Sequence, residues 1–277
     1  MGPAADAAAL LFGKGDAMKH EKMILVLCAC LMVLGFGVSA LVGIWRMYQE
    51  GTQEYKGLQE FVSEETETDE SGTAKDTKKV EVDFASLKKI NKDLVAWIRC
   101  EALGLDYPVV QGEDNDYYLN HTFSGEEHIS GCIFMDCGNK ADFTDDNTIL
   151  YAHNMKDGSM FGSLGDTADG EIRLFLYTEE EVDTYQIVDN RTVAVTEPIY
   201  FRLVYGADAF EELSAAVAAH TGITLVKGEH LLTLSTCNGN AEKRHIVLLR
   251  KVTEETESPE TPDEIEILEP AQEDAEG

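Results

Sequence analysis

Short apolar runs separated by turn-forming residues dominate the middle of the chain. The runs 94–98, 107–110, 131–135, 148–151, 172–177, 185–188, 193–195, 199–204, 230–234 and 246–252 are each about the length of a strand, and Gly, Asn and Asp punctuate the intervals. That rhythm predicts a barrel or sandwich of short strands. Helical spacing interrupts it twice. Phe84, Leu87 and Ile90 recur three residues apart and predict a helix that stops near Asn91. Asp208 followed by Glu211 has capping-box spacing and predicts a second helix over 208–220, closing before Gly222, with Phe210, Leu213 and Val217 facing the barrel.

The ends of the chain follow other patterns. Residues 23–45 contain no charged side chain, and as a helix they would span roughly 35 Å, enough to cross a bilayer. A cleavable signal peptide with a small-residue site at Val38-Ser39-Ala40 is the competing reading, but the apolar run exceeds an ordinary signal-peptide core, which favours an uncleaved anchor. Trp45, Arg46 and Tyr48 suit the far interface, and Lys14, Lys19 and Lys22 before the span favour a cytoplasmic N-terminal segment, 1–22. The polar stretch 46–80 predicts a solvated extracytoplasmic stalk, helical in its first part, that carries a folded domain over 81–252. Residues 253–277 hold eleven acidic residues and no Lys or Arg, which predicts an acidic, disordered tail. The chain from 80 to 252 is therefore expected to suffice for the chemistry.

Charge narrows the partners. With 22 Lys+Arg against 52 Asp+Glu, the formal net charge is −30, and nothing offers the dense basic patch that nucleic acid requires. The six Cys are too few and too scattered for a disulfide scaffold, and the Cys and His positions lack the paired spacing of a zinc site.

Three residues could carry chemistry together. Cys237 ends the apolar run that starts at His230 and meets a polar turn, Asn238-Gly239-Asn240. A thiol there can meet a substrate, although a cysteine at a strand end also serves as a small buried apolar residue. His153 follows the run 148–151 and can take and return a proton near neutral pH; the alternative is a plain surface histidine. Arg244 lies seven residues after Cys237 across a turn. A hairpin of that length brings its guanidinium beside the thiol, where it could hold a developing oxyanion; the alternative is an ordinary surface salt bridge. Its neighbour His245 would point to the opposite face. His121, His128, His220 and His230 sit in weaker contexts, and the spacing of Cys132 and Cys137 does not fix whether they pair, with two thiols favoured.

Thr233-Leu-Ser-Thr-Cys237 followed by Arg244 resembles the signature of sortases, the membrane-anchored transpeptidases of Gram-positive bacteria. Four segments are similar to class B in particular: Asn91-Lys-Asp-Leu-Val-Ala-Trp97-Ile, Tyr107-Pro-Val-Val-Gln-Gly, Asp114-Asn-Asp-Tyr-Tyr-Leu119 and the stretch from Asn147 through His153 to Phe161. The likeness runs from about Phe84 to Val252. It implies a mainly β fold, a sortase-type closed β-barrel with an N-terminal helix and an additional helix before the cysteine strand. It also implies Cys237 as nucleophile, His153 as acid and base, and Arg244 as oxyanion and positioning group. Asn238 would add a backbone donor, and Ser235 and Thr236 would support the pocket. No cofactor and no metal is implied.

The expected substrates are secreted proteins bearing an Asn-Pro-x-Thr-like C-terminal sorting signal. The expected acceptor is an amine of a peptidoglycan precursor or cross-bridge, and membrane lipid would be met through 23–45. The segment 196–224 would wall the peptide groove. Ala152 stands where a Gly is usual before the histidine, which is tolerable at negative φ, and the acidic tail is not a typical family feature. A cysteine peptidase that hydrolyses the same intermediate and a catalytically silent surface scaffold are the rival readings.

Overall fold

The computed structural model describes residues 4–68, 74–166, 172–197, 207–237 and 241–252. Two compact units divide the chain, one of Met1–Lys92 with Asp116–Cys132 and the other of Asp93–Asn115 with Ile133–Gly277.

In the first unit, helix α1 (Ala4–Leu58) runs unbroken from the apolar segment into the polar one. The helical stretch Lys22–Phe61, α1 with the 3-10 turn Gln59–Phe61 that follows it, is long and apolar enough to cross a membrane, and the side chains of its most apolar window are not buried. Past that window the helix docks on the loop before Cys132. Gly51, Tyr55 and Leu58 lie on one helical face and are buried. The Tyr55 hydroxyl donates to the Gly131 carbonyl at 2.6 Å, His128 Nε2 donates to the Met47 carbonyl at 2.6 Å, and Glu54 accepts from the Ser124 amide at 2.9 Å. The approach is close: a Cβ on Gly51 would lie 2.5 Å from His128 Cε1, so the imidazole would have to shift to admit one.

Strands β1 (Val62–Thr68) and β2 (Ala74–Val82) then form an antiparallel hairpin, Val62 opposite Val82. The stretch expected to be a solvated stalk therefore carries a docked helix end and a hairpin. Mean polarity hides this, because the few apolar residues are spaced to share one face. Helix α2 (Phe84–Ile90) has the predicted bounds; Asp83 caps it by accepting from the Ser86 amide at 2.9 Å, and Phe84 and Leu87 are buried.

In the second unit, eight strands close a barrel: β3 (Leu94–Cys100), β4 (Leu105–Val110), β5 (Ile133–Met135), β6 (Asn147–Tyr151), β7 (Arg173–Tyr177), β8 (Val182–Ala194), β9 (Leu231–Cys237) and β10 (Lys243–Lys251). Their order around the barrel is β10-β8-β7-β3-β4-β5-β6-β9. The β4–β5 and β6–β9 pairs are parallel, and the rest are antiparallel. The apolar runs 185–188 and 193–195 belong to the single strand β8, whose polar middle Asp189-Asn190-Arg191-Thr192 stays paired with β10. The run 199–204 lies outside the described residues.

Helix α3 (Ala207–Thr221) packs Phe210, Leu213 and Val217 against Val193, Leu225, Leu231, Ile246 and Leu248, as its periodicity predicts. Burying such side chains contributes about 1.5–3 kcal/mol each. Beneath the β5–β6 connection, buried Asn139 donates to the Asp145 carboxylate at 2.8 Å and accepts from the Ile149 amide at 2.9 Å. Thr233 ties β9 to β6 by donating to Asn147 Oδ1 at 2.8 Å. These bonds fix the register of the two strands that end at the candidate site.

Candidate active site

Two pairings bring the three sequence-predicted residues level with one another. Arg244 lies directly opposite Cys237 in the antiparallel β9–β10 pair, and directly opposed residues share a face of the sheet. On the other side, parallel β6 and β9 align Tyr151 with Ser235. Two residues further along both chains, His153 is level with Cys237. Backbone and side chain hold that extension: the Ala152 amide donates to the Ser235 carbonyl at 3.3 Å, and Asn154 Nδ2 donates to the Cys237 carbonyl at 2.9 Å. Cys237 is exposed, while His153 and Arg244 are half-buried.

The loop after β6 keeps His153 in place by folding back on itself. The Phe161 amide donates to the His153 carbonyl at 3.1 Å, Asn154 bridges to Met160, and Asp157 accepts from both the amide and the hydroxyl of Ser159. Gly162 closes the loop where nothing larger fits, since a Cβ there would meet the Met155 carbonyl oxygen at 2.2 Å. Arg244 Nη1 donates to the carbonyls of Ala241 and Lys243 at 3.1 and 2.9 Å, which anchors the guanidinium at the β9–β10 turn.

The supporting residues separate by face. Ser235 shares the Cys237 face by strand alternation and is buried. Thr236 lies on the opposite face and donates to the Ala152 carbonyl at 2.8 Å, so it braces the backbone just before His153. Asn238 lies outside the described residues, as does 198–206 of the expected groove wall. Ala152 needs no glycine: among the described residues only Phe143 and Met160 combine a side chain with positive φ. His245 points away from Arg244's face and approaches the Leu164 carbonyl at 3.3 Å. Asn154, the clamp on the nucleophile strand, was not singled out from the sequence; its position directly after His153 in a turn-rich loop is the only sign of it.

The other thiols differ from Cys237. Burial pushes the Cys100 thiol up, which keeps it protonated and inert. Cys132 is buried, Cys137 is exposed, and neither forms a disulfide.

A model of the sortase domain family matches residues 98–252. Sortase B of Listeria monocytogenes is 32% identical over 196 residues, which cover 67% of this chain and 80% of the relative. The chain belongs to the sortase family. Solved structures agree on class B. Sortase B from Bacillus anthracis in complex with AAEK1 has a TM-score of 0.60 at 29% identity, covering 76% of this chain and 99% of that one. The Staphylococcus aureus sortase B-substrate complex has a TM-score of 0.55 at 29% identity, covering 61% of this chain and 84% of that one. This sortase is thus a class B cysteine transpeptidase on a mainly β scaffold, an eight-strand closed barrel with an N-terminal helix and a second helix before the cysteine strand. In the sortase barrel, the β6 and β9 ends and the β10 start form one rim.

Proposed function

We propose that this sortase, anchored by residues 23–45 with its N-terminus cytoplasmic and residues 81–252 outside, joins secreted proteins to a cell-wall amine. The observation that carries the reading is the row of His153, Cys237 and Arg244 across three adjacent strand ends. The Cys237 thiolate attacks the carbonyl carbon of the Thr in an Asn-Pro-x-Thr-like sorting signal. The oxygen becomes negative and is held by the Arg244 guanidinium, with the Asn238 amide as a second donor. Collapse expels the amine of the next residue, which takes a proton from His153 and leaves a thioacyl-enzyme. A peptidoglycan precursor or cross-bridge amine then gives a proton to His153 and attacks the thioester, forming the new amide and freeing Cys237. Ser235 and Thr236 support the pocket from the two faces of β9. The S. aureus relative solved with its substrate supports a peptide substrate here.

Product analysis tests the reading. The full chain, given a sorting-signal peptide and an oligoglycine or diaminopimelate-type amine, should release the C-terminal fragment and yield the amine adduct, and Cys237→Ala should do neither. Release of the free acid alone at saturating amine would make this enzyme a hydrolase.

A further inference from the structure

Helix α1 and the loop before Cys132, both in the first unit, part from one another at the end of the apolar segment. Between them opens a cleft of about 450 Å³. Gly43, Met47 and Glu50 line it from the helix, spaced i, i+4 and i+7 on one face, and Asn120, Glu127 and Ile129 line it from the loop. Both walls are held. The His128 amide donates to the Asn120 carbonyl at 2.8 Å and His121 bridges Glu127, which sets the loop residues side by side. His128 Nδ1 accepts from the Ser130 amide at 3.1 Å, so its proton sits on Nε2 and goes to the Met47 carbonyl.

Helix geometry sets the depth of this cleft. Residues 23–45 carry no charge, and Met47 lies only about 3 Å beyond Trp45 along the axis. Gly43 to Glu50 covers about 10 Å, and a headgroup layer is about 5–8 Å thick. With 23–45 in a bilayer, the Gly43 end therefore meets the acyl boundary and the Glu50 end lies among the headgroups.

The lining follows that gradient. A Cβ on Gly43 would meet nothing within 4 Å, and the exposed Met47 and Ile129 offer apolar contact. The remaining lining carries one cation, Arg46, and two carboxylates, Glu50 and Glu127. Among the described residues none of the three forms a salt bridge. An anionic headgroup would satisfy Arg46 but be repelled by both carboxylates. A choline headgroup brings a cation with no N–H to donate. An ethanolamine phospholipid brings a phosphate for the guanidinium and, on a short linker, a primary ammonium with three N–H donors for the carboxylates.

We propose that this cleft binds the headgroup of an ethanolamine phospholipid, with the phosphate on Arg46 and the ammonium on Glu50 and Glu127, and so seats the first unit at a set depth on the membrane. The inference rests on the anchoring by 23–45 proposed above and adds to it a lipid-reading site.

Native mass spectrometry tests it on the full chain in detergent micelles, given equal amounts of dioleoyl phosphatidylethanolamine, phosphatidylcholine and phosphatidylglycerol. Wild type should retain the ethanolamine lipid about fivefold or more over either of the others, the fold-change of one or two exposed ion pairs. Glu50→Gln with Glu127→Gln should bring the ethanolamine and choline lipids level. Equal retention of the three lipids by wild type, or a preference that survives the double substitution, overturns the proposal. Glu50 and Glu127 are exposed, so the double variant is expected to fold. If it does not, Glu127→Gln alone should cut the preference about twofold or more, and an unchanged preference overturns the proposal equally.

Alkaline extraction of the full chain from vesicles of the same three lipids separates the cleft from the anchor. Release into the supernatant contradicts anchoring by 23–45, yet a micelle preference that the substitutions remove still supports the cleft. Retention in the vesicles with no lipid preference in micelles overturns the cleft alone.

Discussion

Arg244 is the residue whose geometry asks most of one side chain. It faces Cys237 across the strand pair and is tied at Nη1 to two carbonyls of the adjoining turn, so its fork is held in place rather than swinging in solvent. Lys keeps the charge but has neither the planar fork nor the reach to hold those carbonyls and an oxyanion together. Arg244→Lys is therefore expected to lower kcat by about 10²–10³, the scale of a lost oxyanion donor, with the melting temperature nearly unchanged. Peptide kinetics and thermal melting on the same preparation check this; a variant close to wild type in kcat would return Arg244 to an ordinary surface role. That Cys237, His153 and Arg244 come level at one rim was legible in the sequence, because each sits where an apolar run meets a polar turn. Asn154 and the continuity of β8 were not. A polar stretch in the middle of β8 reads as a turn until pairing with β10 is seen, and an Asn in a loop carries no sign of the carbonyl it clamps.

At the scale of elements, the loop from His153 to Gly162 positions the proposed acid–base group, and its tightness depends on Gly162. Gly162→Ala would push a Cβ into backbone atoms, with the Met155 carbonyl oxygen at 2.2 Å and Gly158 Cα at 2.9 Å. The loop must shift, and displacing His153 by even 1 Å is expected to cost about 10²-fold in kcat/KM. Steady-state kinetics with circular dichroism check this, since a folded protein of unchanged activity would show that the loop does not set the His153 position.

Helix α2 gives a pH-dependent test. Its cap Asp83 accepts from the side chain and amide of Ser86, which holds the carboxyl below its usual range. The folded state thus binds the proton less readily than the unfolded chain. The cap's contribution is present above the unfolded value near pH 4 and is lost as pH falls through the lower folded value. Asp83→Ala should melt lower than wild type at pH 7, and the gap should narrow steadily below about pH 4. A gap independent of pH would mean that the charge plays no part in the cap. This helix was legible to the residue from three apolar positions. The β1–β2 hairpin and the docked end of α1 were missed because their composition is polar and only their spacing or pairing reveals them.

For the whole molecule, the continuity of α1 changes what the segment between the apolar span and the barrel does. Gly51, Tyr55 and Leu58 are buried against the first unit's loop, and β2 pairs with β1. A chain of residues 80–252 lacks all of these contacts, while a chain of 46–252 keeps them. Burial of Tyr55 and Leu58 alone contributes about 3–6 kcal/mol, so the shorter chain is expected to melt at least about 5 °C lower. Differential scanning calorimetry of the two decides this; equal melting temperatures would make 46–80 the passive stalk that its composition suggests.

The central claim is that Cys237 carries the acyl group between two amines. Intact-mass spectrometry tests it most directly, on the full chain quenched in acid during turnover of a sorting-signal peptide without added amine. The expected spectrum shows the protein plus the mass of the peptide's N-terminal fragment through Thr, less one water, with the adduct mapped to Cys237 and chased to free enzyme by an added amine. Turnover of the peptide with no such adduct, or with an adduct that persists in the Cys237→Ala chain, would contradict the account.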